Sequence, residues 1–93
     1  MRVASRIGDL RRKIALGDYE LTGHAKDEME QDGFTVLDVK AAIYTGRIVS
    51  VQRHGRGRHK MVVAGKAEDN RSLRVVCRLT SSGRLRIITL FVA

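Results

Sequence analysis

The spacing of the apolar residues changes once along this chain, at Gly46, and that change constrains the fold more than any single motif. Before Gly46 apolar positions recur every three or four residues, which is one face of a helix; after it they recur every two, which is one face of a strand. Val3, Ile7, Leu10 and Ile14 predict a helix over 3–16 that ends at Gly17. Thr22 is placed to cap a second helix reaching Gln31 or Asp32, with Ala25 and Met29 inward and Gly33 as its stop. Thr35 caps a third, which buries Val36, Val39 and Ile43 and stops at Gly46.

Beyond that point, residues 48–52, 60–65, 73–79 and 85–92 read as strands. In the third, Leu73, Val75, Cys77 and Leu79 share one face while Arg74, Val76 and Arg78 share the other. In the fourth, strict alternation sets Leu85, Ile87, Thr89 and Phe91 opposite Arg86, Ile88, Leu90 and Val92. Asp69-Asn70 and Ser81-Ser82-Gly83 supply the turns, and links this short favour antiparallel pairing. The expectation is one α+β domain over residues 1–93, with three N-terminal helices packed on one face of a four-stranded antiparallel sheet. The uncovered face then carries Arg74 and Arg78, and Arg86 if its strand turns the same way. That makes a preformed cationic floor for an anion.

A core of 93 residues does not divide into two stable halves, nor does it leave room for a doubly wound dinucleotide-binding sheet. The net charge of +8 calls for an acidic or polyanionic partner. It is unevenly placed: residues 1–46 hold seven basic and eight acidic side chains, residues 47–93 eleven basic and two acidic. One cysteine, Cys77, allows neither an intrachain disulfide nor a thiolate-rich zinc site, which fits a reducing compartment. No apolar run is long enough to span a membrane and the opening MRVASRIGDLRRK lacks an export-signal stretch, so a cytoplasmic protein is expected.

Two constellations could carry chemistry. The segment Arg53-His54-Gly55-Arg56-Gly57-Arg58-His59-Lys60 combines cations with glycines that let a phosphate approach the backbone. It suits a sugar-phosphate chain, and equally a solvated hairpin loop whose charges aid solubility. With four aromatic residues in all, stacking platforms for bases are scarce. On the second helix His24, Glu28 and Asp32 fall at i, i+4 and i+8, on one polar face. His24 there is either a general acid or base tuned by a carboxylate or an ordinary solvated helix-start residue. Ligands spread over two turns do not make a metal site unaided, and no metal or other cofactor is expected.

The string HAKDEMEQDGF (24–34), the capping Thr35, a strand ending at Gly65 and the closing IITLFV (87–92) resemble the domain-of-unknown-function family 4258. Its pattern is HA-x-x-[RE]-M-x-x-[RD]-G-[IF] on a helix, with a final IIT-x-Y strand. The likeness covers roughly residues 6–92, and Glu28 and Asp32 resemble the subgroup often paired with zinc-finger antitoxins of the MqsA kind. The resemblance implies a RelE-like fold and kinship with RelE/BrnT-like toxin ribonucleases, which cut RNA without a metal by attack of the ribose 2′-hydroxyl. It also implies RNA as substrate, including messenger RNA on the ribosome, and a cognate antitoxin as partner. Two positions depart from the pattern: Arg74 stands where a His is usual and Phe91 where a Tyr is usual. Both changes remove proton-transfer groups and leave phosphate binding intact.

The expected activity is thus a toxin-like endoribonuclease. Arg74 and Arg78 would hold the scissile phosphate, His24 would move the proton, and Arg53, Arg56, Arg58, Lys60 and Arg86 would position the flanking backbone. The alternatives are a non-catalytic module that binds RNA or an acidic protein through the same surface, and a structural partner in a larger assembly.

Overall fold

Local capping chemistry sets where the second and third helices begin, and the helices together cover one face of a sheet. The structure is a computed structural model and describes residues 6–53 and 59–93. Helix α1 (Arg6–Ala15) buries Leu10 and Ile14; its expected start at Val3 lies outside the described residues. In α2 (Gly23–Asp32) the Thr22 hydroxyl accepts from the Ala25 amide at 3.0 Å. Gly33 takes the left-handed conformation, φ 71°, and the Phe34 amide turns back to Met29 O at 2.8 Å. Helix α3 (Val36–Thr45) opens with the Thr35 amide donating to Asp38 Oδ2 at 2.9 Å. The other oxygen of this buried carboxylate accepts from the Glu68 amide, which ties α3 to the turn after the second long strand.

The strands are β1 (Tyr19–Leu21), β2 (Arg47–Arg53), β3 (His59–Lys66), β4 (Ser72–Leu79) and β5 (Leu85–Val92), in spatial order β1-β5-β4-β3-β2. The architecture is therefore α+β with three helices, but the sheet has five strands, not four, and it is mixed. β1 pairs parallel with β5 while all other pairs are antiparallel. Three residues between two helices are too few to show a period, and the partner strand lies 66 positions further on. Only tertiary pairing makes this strand.

A second correction concerns β5. Its register on β4 shifts between Val76↔Thr89 and Cys77↔Ile87, so Ile88 is an extra residue and the alternation slips by one. Leu85, Ile87 and Leu90 face the helices, whereas Arg86, Thr89 and Phe91 share the open face with Arg74, Val76 and Arg78. Thr22 secures the bulge, its amide donating to Ile87 O and its hydroxyl to Ile88 O. The start of α2 is thereby fixed to the rim of the sheet.

On the inner face Val63, Val75, Cys77, Leu85 and Ile87 are fully buried against Leu10, Ala25, Val39 and Ile43 of the helices. Helix α3 lies on β3 almost backbone to backbone: a Cβ added at Gly65 would stand 2.0 Å from Ala42 O, and one at Gly46 2.4 Å from the same oxygen. No helix among the described residues is long and apolar enough to cross a membrane.

Burial pushes the Cys77 thiol from 9.0 up to about 12. The folded state keeps the neutral thiol, so the associated stability is fully present below pH 9 and lost as pH rises toward 12. Iodoacetamide at pH 8 should leave native Cys77 unmodified and label it on unfolding. Urea melts should show stability falling more steeply above pH 9 in the native chain than in a Cys77→Ala variant; parallel curves would contradict this.

Candidate nucleic-acid interface

The register of the sheet specifies the open face strand by strand. Arg74 stands opposite Phe91, Val76 opposite Thr89, and Arg78 opposite Arg86 across β4 and β5. On β3 the same face carries Lys60, Val62, Ala64 and Lys66, and on β2 Arg47, Ser50 and Gln52. β1 adds Glu20, opposite Arg86. Six cations and one carboxylate thus share a surface whose centre is apolar, formed by Val62, Val76 and Ala64. Arg74 and Arg78 are half-buried at these positions.

These cations are not equally available. Glu20 Oε2 accepts from Arg86 Nε at 2.5 Å, and its other oxygen is 4.0 Å from Arg84 Nε. Arg71 is spent on the fold: it donates to the carbonyls of Asp32 and Gly33 at the end of α2 and stacks 4.0 Å from the Phe34 ring centre. Lys66 Nζ contacts Ser72 Oγ at 3.3 Å. Arg47, Lys60, Arg74 and Arg78 make no ion pair among the described residues. Arg78 directly faces Arg86, and like charges opposed across a strand pair are destabilising, so an anion between them would relieve the repulsion.

The predicted residues distribute as follows. Arg74, Arg78, Arg86 and Lys60 come together on the open face. Arg53, last in β2 and exposed, pairs with His59 and points to the helix side. Arg56 and Arg58 lie outside the described residues. His24 sits in the first turn of α2, two residues beyond the Thr22 that contacts the β5 bulge; its side chain is 66% exposed and Nε2 is 3.9 Å from Glu28 Oε2. No hydrogen bond or ion pair joins His24 to Arg74 or Arg78 among the described residues. Asp32, two turns further along the helix, does not join the His24–Glu28 pair.

Two groups of residues were not expected from the sequence. Glu20 is one, because its place on the face depends on β1. The other lies on the opposite side of the sheet, where a cleft of about 230 Å³ is lined by Arg6, Asp9, Leu10, His59, Met61 and Leu79. His59 and Asp9 both line it, but it lies on the helix side, away from the arginine face.

The family described as "Domain of unknown function (DUF4258)" matches residues 21–92. That range begins inside β1 and includes every open-face residue except Glu20. No curated protein and no solved structure matches the chain.

Proposed function

Since the chain belongs to the DUF4258 family, we propose that its open sheet face binds RNA and that the protein is a cytoplasmic, toxin-like endoribonuclease of the RelE/BrnT-like kind. The observation that carries this reading is the face itself: Arg47, Lys60, Lys66, Arg74, Arg78 and Arg86 against the single carboxylate of Glu20. Such a surface matches a phosphate chain, and guanidinium forks match phosphate oxygens best.

In the cleavage step the ribose 2′-oxygen attacks the adjacent phosphorus. A new O2′–P bond forms, the P–O5′ bond breaks, and a 2′,3′-cyclic phosphate remains. Arg74 and Arg78 act as preorganised donors to the non-bridging oxygens, whose charge grows in the transition state. His24, at the rim where α2 meets β5, is the group that transfers the proton between the 2′-hydroxyl and the departing 5′-oxygen. Lys60 and Arg86, with Arg56 and Arg58 of the segment that joins β2 to β3, position the flanking backbone, whereas Arg53 points to the other side of the sheet. A cognate antitoxin would neutralise this surface with carboxylates.

Purified protein should cut RNA in the presence of EDTA and leave cyclic-phosphate ends. Full activity in a His24→Ala, Arg74→Ala double variant would overturn the assignment. One observation favours a second reading, RNA binding without cleavage: Phe91, opposite Arg74, presents a ring with no polar atom to the open face. In that case RNA is recovered uncut from a saturated complex, and affinity falls with salt at a slope of about 0.7 per phosphate contacted.

A further inference from the structure

The two edges of the sheet are treated differently. At one edge β1 is only three residues long, and Arg84 reaches across it to Tyr19 O. At the other, β2 runs for seven residues, and its outer side pairs with no strand among the described residues. A long open edge presents unpaired amides and carbonyls, which proteins usually blunt with short strands or cover. We propose that β2 is a docking edge for an extended, acidic segment of a partner protein, which pairs with it as a sixth strand. The docking edge does not require RNA cleavage, although Arg47 and Lys60 also belong to the open face.

Two features specify the partner. The first is apolar: Val51 stands opposite buried Met61 on the helix side, yet it is 41% exposed. Ile48, on the same side, already packs against the core. An apolar residue beside Val51 would extend that core by one strand.

The second is charge. Residues 47–66, which span β2, β3 and their connection, contain six Lys or Arg and no Asp or Glu. Arg47 and Arg53 stand at the two ends of β2, and Lys60 lies one strand behind, opposite Gln52. Carboxylates alternating with apolar residues answer this pattern, because cross-strand pairs of opposite charge stabilise a sheet. A second copy of the chain answers it badly. Antiparallel pairing centred on Ser50 would bring Arg47 of one copy against Arg53 of the other at both ends, between molecules that each carry +8.

The register shift at Val49 bends the first part of β2 and leaves Ser50–Arg53 in regular pairing with β3, so the contact should centre on Val51. The probe is a capped octapeptide alternating glutamate and valine, titrated into isotopically labelled protein at low salt and followed by amide shifts and hydrogen exchange. Expected are shifts and slowed exchange concentrated at residues 49–53, at least tenfold weaker binding to an Arg47→Glu, Arg53→Glu variant with an otherwise native spectrum, and no binding of the lysine–valine counterpart. Equal binding of a peptide N-methylated at alternate residues would mean that charge alone acts, and would overturn strand pairing. So would shifts centred on Arg74 and Arg78, or dimerisation of the free protein through β2 in sedimentation.

Discussion

Replacing Gly65 by valine should leave the chain unfolded at room temperature, and Gly65→Ala should cost about 3 kcal/mol, near the upper end of ordinary overpacking. An added Cβ would stand 2.0 Å from Ala42 O, 2.7 Å from its carbonyl carbon and 2.9 Å from its Cα. All three atoms are helix backbone, so no rotamer change relieves the clash. α3 would have to lift from β3, exposing Val39, Ile43 and Val63, which are otherwise buried. For a domain of this size the alanine variant should melt roughly 15 °C lower. Gly8 gives the internal control: it lies in α1 with nothing within 4 Å of an added Cβ, and Gly8→Ala should stabilise by about 0.5–1 kcal/mol. Equal melting temperatures for Gly65→Ala and the native chain would show that α3 does not sit where the structure places it.

The same pair of elements shows how far local sequence carries. Helices α2 and α3 are legible because their signals lie within a turn or two of each other: Thr22 with Gly33, Thr35 with Asp38, and the inward Ala25, Met29, Val39 and Ile43. The four long strands are legible because dense β-branched residues mark them and alternation holds throughout β3 and β4, although bulges at Val49 and Ile88 break it in β2 and β5. What local pattern misses is created by contacts distant in sequence. β1 exists only because β5 pairs with it, and the slip at Ile88 arises where β5 meets both β4 and Thr22. Both bear on the site. Without β1 there is no Glu20 beside Arg86, and without the slip Phe91 would face the core instead of standing opposite Arg74. The Arg74–Arg78 face was legible because β4 alternates without interruption.

Changing Arg74 and Arg78 together to glutamine should weaken RNA binding about a hundredfold, since each guanidinium–phosphate contact is a charge-assisted hydrogen bond worth roughly 1.5–3 kcal/mol and the two sites are not fully additive. The salt slope of binding should fall by about 1.4, the value for two single-strand phosphate contacts. Under the proposed cleavage step, activity should drop further than binding, by about a hundredfold or more per arginine, because donors in that role face charge that grows only in the transition state. Arg86→Gln is the discriminating comparison. Its guanidinium is already held by Glu20, so an incoming phosphate competes with a carboxylate and gains less there than at Arg74. Binding by Arg86→Gln should therefore fall severalfold at most, and Glu20→Gln, which releases Arg86, should tighten it. These side chains project from the open face, so melting temperatures should stay within a few degrees of native. Equal losses at Arg74 and Arg86 would mean that net charge alone governs binding; undiminished binding in the double glutamine variant would move the RNA site off the open face altogether.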